Sequence, residues 1–200
     1  MKSVRFALSL VLLLLATSAF GQSDAQKSSA GSGQEKNAQA SAAQANPFSS
    51  WNKMAYAMVK EILLRSAEKM PEENYSFKPT EAVRSYGQIL GHVADSQYYF
   101  CSAALGETNP GLKIEQTKTA KADLIAALKN AFAYCDKAYD GMTDTSGSQV
   151  VKLMGMDMPK LSVLTANNMH NLEHYGNLVT YMRMKNIVPP TSEQAPPAQK

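Results

Sequence analysis

Ten residues near the end of the chain, Asn168-Met169-His170-Asn171-Leu172-Glu173-His174-Tyr175-Gly176-Asn177, place two histidines four positions apart. Residues i and i+4 share one face of an α-helix, one turn apart. Two imidazoles so placed can grip a single metal ion. The chain has only three histidines, and the third, His92, lies in another strongly helical segment. No histidine is spent elsewhere, so His92, His170 and His174 are expected to converge on one metal. Three neutral imidazoles leave positions open on a divalent ion, as catalytic rather than closed structural sites do. Asn167, Asn177 and Asp95 are candidates to orient the rings through their second nitrogens.

The same residues also spell H-x-x-E-H, the signature of inverted zinc proteases, in which Glu173 would be the general base. That class needs a downstream acidic ligand, and only Glu193 follows His174. Glu173 therefore reads as an exposed residue off the histidine face.

Four helices are needed to position these groups. The first is expected from about Phe48 or Ser50 to Met70, with Ser49 or Ser50 as N-cap, Pro71 as stop, and a buried stripe of Trp51, Met54, Ala55, Met58, Ile62 and Leu63. The second runs from about Tyr86 to Ala104, opened by a Ser85/Gln88 capping box, with His92 at the edge of its buried arc. The third spans about Thr119–Tyr139 and carries Leu124, Leu128, Phe132 and Cys135. The fourth spans about Lys160–Lys185. It has apolar residues on both sides, Leu161, Leu172 and Val179 opposite the histidines, and a strip of His and Asn between them. A helix of that kind is largely buried and needs partners for its polar groups. Residues 142–159 break the helical pattern and read as an irregular or hairpin-like excursion whose methionines fill gaps or cover the site rather than bind metal. The fold class is all-α, a four-helix bundle, which builds metal sites from facing side chains.

The flanks read differently. Residues 1–21 combine a basic start, an apolar run from Phe6 to Ala16 and small residues at Ala19 and Gly21, the pattern of a secretory signal peptide cleaved near Gly21. The run is short of the about 20 residues of a membrane span. Residues 22–46 and 189–200 are polar and low in large apolar residues, as flexible segments are, which leaves 47–188 as one folded domain. The expectation is export to a periplasm or beyond, with no stable membrane span after cleavage. The formal net charge is +3, and no basic stripe argues for nucleic acid. Cys101 and Cys135 would meet an oxidising compartment. Set on antiparallel neighbouring helices, however, they would stand roughly 15–20 Å apart along the axis, beyond the about 7 Å a disulfide spans. Two buried free thiols are expected.

Ile89-Leu90-Gly91-His92-Val93-Ala94-Asp95, His170-x-x-x-His174-Tyr175-Gly176-Asn177-Leu178, Tyr181-Met182-Arg183 and the closing Ile187-Val188-Pro189-Pro190 together resemble the DinB-like (YfiT-like) four-helix-bundle superfamily. The resemblance covers nearly the whole folded region. It implies a three-histidine site for nickel, zinc or iron, with His92, His170 and His174 in the ligand positions, and it makes a homodimer possible. Some relatives are metal-dependent transferases or isomerases that use low-molecular-weight cytosolic thiols, a role that export makes doubtful. The functional expectation is a secreted metal-binding protein, a metal-dependent hydrolase or transferase acting on an unidentified small molecule. The alternative is a non-enzymatic metal- or ligand-binding module of the cell envelope.

Overall fold

The computed structural model describes residue 41 and residues 45–193. The expected leader, nearly all of the tether and residues 194–200 lie outside the described residues. Four long helices make the bundle: α1 (Pro47–Lys69), α2 (Tyr86–Leu105), α4 (Lys121–Asp140) and α6 (Lys160–Met184). Between them lie one-turn helices α3 (Ile114–Thr117) and α5 (Asp144–Gly147), and a hairpin of β1 (Val150–Leu153) and β2 (Met156–Pro159). The excursion over 142–159 is thus one turn of helix followed by a hairpin. Met154 and Met156 are exposed on it.

Hydrogen bonds at the helix ends give the directions. The Tyr86 hydroxyl at the start of α2 and the Lys121 ammonium at the start of α4 both donate to carbonyls at the end of α1, Ser66 and Met70. The Tyr139 hydroxyl at the end of α4 donates to Leu164 at the start of α6 (2.8 Å), and Tyr181 near the end of α6 donates to the Arg84 carbonyl just before α2. So α2 and α4 run parallel to each other and antiparallel to α1 and α6. The segment 106–120 is a crossover that travels back along the bundle before α4 can begin.

That crossover overturns the expectation for the cysteines. With α2 and α4 parallel, Cys101 and Cys135 sit at the same height, their Cα atoms are 5.3 Å apart, and they form a buried disulfide. The assumption of antiparallel neighbours produced the wrong separation, not the helical rise.

The N-terminus of α1 also departs from expectation. The helix starts at Pro47, and neither Ser49 nor Ser50 caps it. The Asp144 carboxylate, from α5, accepts the free amide hydrogens of Phe48 and Ser49 (3.2 and 2.7 Å), so a tertiary contact replaces the local cap. The α2 capping box forms as expected. The face of α1 that packs inward is Asn52, Tyr56, Val59, Leu63 and Ala67. Trp51, Met54 and Met58 point outward, as does Leu172 on α6. Both stripes on α1 repeat at helical spacing, and the one with aromatic and amide partners on α4 and α6 is buried.

The core is filled by Leu63, Leu90, Leu128, Phe132, Leu164, Leu178 and Met182, all essentially inaccessible. Within it runs a layer of amides. Asn167 donates to the Gln97 side-chain oxygen (3.0 Å) and lies against both disulfide sulfurs; Gln97 donates to the Asn171 side chain (2.6 Å); Asn168 donates to the backbone carbonyl of Asn52 (3.0 Å). The polar strip read from α6 is therefore buried and largely paired within the bundle. At the C-terminal side, residues 189–193, expected to be part of a flexible tail, pack on the bundle. Thr191 is bonded to Tyr175, and Glu193 pairs with Arg65 and Lys69.

Candidate metal centre

His92 is on the second turn of α2, and His170 and His174 are one turn apart on the antiparallel α6, so the bundle brings all three rings to one point. His170 Nε2 lies 3.1 Å from His92 Nε2 and 3.1 Å from His174 Nε2. A neutral imidazole nitrogen is either a donor or an acceptor, so His170 Nε2 cannot make good hydrogen bonds to both neighbours. Three converging lone pairs are a donor set for a cation. The candidate ligand atoms of the three rings all lie within 4.8 Å of one another, close enough for one small cation to be shared among imidazole nitrogens. The three histidines are a cluster that could hold a metal ion.

The surroundings keep the two rings of α6 neutral. Burial, reinforced by the nearby His174 and His92, holds the pKa of His170 down to about 3. Burial and His92 also lower that of His174. A neutral ring has a lone pair to give, which a ligand needs.

The other ring nitrogens show what orients two of the three rings. His92 Nδ1 is 3.1 Å from the Glu115 carboxylate, and Arg84 Nε donates to the other oxygen of Glu115 (2.8 Å). An Nδ1–H held by a carboxylate fixes the tautomer with the Nε2 lone pair facing inward. Glu115 belongs to the crossover, whose one-turn helix α3 lies directly on α2. Gly91 permits this: a Cβ there would sit 2.7 Å from the Glu115 Cα. Asp95 accepts the amide hydrogens of Ile114 and Glu115 (2.8 and 2.9 Å) and anchors that turn. The Asn177 amide lies 3.4 Å from His174 Nδ1. His170 Nδ1 is buried without a partner among the described residues.

Of the three orienting residues expected, then, Asn177 stands beside a ligand and Asp95 acts through Glu115. Asn167 faces the disulfide, away from the rings. Glu115 and Arg84 were not legible, because they approach His92 only through the crossover; a glycine immediately before His92 was the single local sign. Glu173 is exposed, and Glu193 is held by Arg65 and Lys69 at the end of α1. The arrangement required of an inverted zinc protease is therefore not assembled.

A cleft of about 580 Å³ opens beside the cluster, lined by His174, Asn177, Glu115, Arg84, Tyr181 and Gln88. Neither Met154 nor Met156 reaches it. The side of the cluster facing this cleft is where a small molecule could approach.

Comparison with known proteins bears on the same region. The family model described as the DinB superfamily matches residues 55–178. A crystal structure of a DinB-like protein from Bacillus cereus ATCC 10987 superposes with a TM-score of 0.62 at 15% identity, covering 68% of this chain and 92% of that one. A DinB-like protein from Bacillus subtilis gives a TM-score of 0.58 at 20% identity, covering 72% of this chain and 99% of that one. At these identities the likeness speaks for the fold. No curated protein matches the sequence.

Proposed function

This chain belongs to the DinB superfamily, and from that premise we propose that it is an exported metal-dependent hydrolase or transferase of a small molecule, with His92, His170 and His174 as the ligands of one divalent ion. The observation that carries the reading is the convergence of three Nε2 atoms at 3.1 Å around His170, beside an open cleft. Nickel, zinc and iron(II) all accept imidazole nitrogen. Bound there, such an ion supplies Lewis acidity to a substrate in the cleft. The protein's own contribution is to hold the His170 and His174 rings neutral, to orient His92 through Glu115, and to place the Arg84 guanidinium at the wall of the cleft. Export is supported by the leader pattern of residues 1–21 and by the buried disulfide, a bond that persists in oxidising compartments. Among the described residues no helix is long and apolar enough to cross a membrane.

Cobalt(II) substitution tests the open-site reading. The metal-free protein titrated with one equivalent of cobalt should develop visible ligand-field bands that shift when azide or a small thiol is added. Bands that form and ignore every added ligand would instead indicate a closed site and favour the non-enzymatic binding module.

A further inference from the structure

Arg84 immediately precedes the Ser85 cap of α2, and it is held at both ends. Its backbone carbonyl accepts from the Tyr181 hydroxyl (2.8 Å), and its Nε donates to Glu115 (2.8 Å). A guanidinium presents its N–H donors as a planar fork. Only Nε is used here; the terminal nitrogens have no hydrogen-bond partner among the described residues. The other two arginines described differ in this. Arg65 spends its terminal nitrogens on Glu61 and Glu193, and Arg183 donates from a terminal nitrogen to Ser192. An arginine fixed at both ends with its fork unspent loses little freedom on binding. Such a fork matches the two oxygens of a carboxylate or phosphate.

The fork stands in the wall of the cleft beside the histidines, whose volume of about 580 Å³ is within the roughly 300–1,000 Å³ of small-molecule sites. The charged side chains lining it are Lys78, Glu81, Arg84 and Glu115, and neither carboxylate is free to meet a cationic ligand. Glu115 has one oxygen on Arg84 and the other 3.1 Å from His92 Nδ1. Glu81, its side chain 92% exposed, pairs with Lys78 at the rim. Gln88 gives its side-chain oxygen to the Ser85 amide hydrogen (2.8 Å), which leaves its NH₂ donors for the cleft. A second recess of about 430 Å³ shares Lys78, Gln88 and Glu115 with the first and adds a further cation, Lys118. Imidazole ligands are neutral when they bind a metal. A divalent ion on the three histidines therefore keeps its full positive charge, in a cleft whose carboxylates are already engaged. Taking the three-histidine site as the reacting end, we propose that the substrate is a small molecule bearing a carboxylate or phosphate, with that group seated on the Arg84 terminal nitrogens and the remainder extending toward His174. An anion supplies the charge the cleft lacks; a cation would meet a guanidinium and no counter-charge.

The Arg84 fork is held by protein groups alone, so anion binding and metal binding are separate measurements. Isothermal titration calorimetry of the full chain, metal-free and zinc-loaded, is run with malonate and with inorganic phosphate, and with malonamide as the uncharged control. In the metal-free chain at least one of the anions should bind once per chain, and malonamide should give no heat of binding. Arg84→Gln should weaken the anion about 10–100-fold, the worth of a charge-assisted hydrogen bond. Tighter malonate supports a carboxylate substrate, and tighter phosphate a phosphorylated one. Equal binding of malonate and malonamide would overturn the proposal, as would anion binding seen only with zinc, no anion binding at all, or binding unchanged in Arg84→Gln. The malonate–malonamide comparison needs no variant, so the test stands even if Arg84→Gln fails to fold. Zinc content of the same samples keeps the two readings apart. A chain that takes up zinc and ignores both anions loses this assignment and keeps its metal centre. One that binds malonate through Arg84 without retaining zinc keeps the anion site and loses the metal.

Discussion

The bundle contains two parallel helix pairs, and they are closed by different means. The α2–α4 pair is joined covalently by Cys101–Cys135, and the crossover between its helices is folded back to deliver Glu115 to His92. The α1–α6 pair is joined by amides, Asn52 to Asn168, and it leaves its outer side apolar and exposed. Helix α6 serves both: its inner side carries the histidines toward α2, and its outer side carries Met169 and Leu172 toward solvent. The pair that must hold a fixed geometry for His92 is thus covalently stapled, while the pair without a covalent link presents the larger apolar surface. Rigidity is invested where the ligand geometry is set.

The largest effect that could break this contrast is removal of the staple. Cys101→Ser/Cys135→Ser opens a loop closed across 34 residues, for which the chain-entropy relation gives about 3–4 kcal/mol, or roughly 8–15 °C in melting temperature for a domain of this size. Calorimetry of reduced and oxidised protein would check it. A change below about 2 °C would mean that the amide layer alone holds α2 and α4 in register.

Next in size is the carboxylate that the crossover brings. Glu115→Gln keeps the shape but not the charge behind His92, and metal affinity should fall about 10–100-fold, the usual cost of losing such a partner, with little loss of stability. Competition with a chromophoric chelator would measure it. Gly91→Ala should produce a similar loss by pushing α3 off α2; if affinity is unchanged, Glu115 does not act through His92.

The two closures should also differ in their response to acid. In the unfolded chain His170 titrates near 6.5, and burial holds it down to about 3 in the fold. Below 6.5 the unfolded state therefore binds a proton that the native state does not, so stability falls as pH drops from about 6.5 toward 3, and this contribution is complete above 6.5. His174, also lowered, acts in the same direction. Melting temperatures of metal-free protein between pH 7.5 and 4.5 should decline, and in His170→Asn the decline should be shallower. The disulfide contributes no such slope.

The smallest expected effect lies at the far end of α1. Glu193→Gln removes an exposed pair with Arg65 and Lys69, which solvent screens, and should shift the melting temperature by no more than about 4 °C.

What could be read from the sequence divides along the same line. The four long helices, the Ser85/Gln88 capping box and the histidine set follow from spacing within a segment, and spacing is local. His170 and His174 are one turn apart by helical geometry alone, and His92 joins them because a bundle offers few places for a third imidazole. Whether α2 and α4 run parallel is not a local property, so the cysteine pairing and Glu115 were invisible until the crossover was placed. Trp51, Met54 and Met58 repeat as regularly as Tyr56, Val59 and Leu63. An apolar period marks a candidate buried face without showing which of two such stripes the bundle covers.

The claim on which the rest depends is that His92, His170 and His174 hold one metal. Elemental analysis of protein purified without a histidine tag tests it most directly. The account predicts close to one equivalent of nickel, zinc or iron per chain, retained through dialysis and lost in His170→Ala/His174→Ala with the helical fold intact. Less than about a tenth of an equivalent, both in the isolated protein and after incubation with each metal, would contradict it.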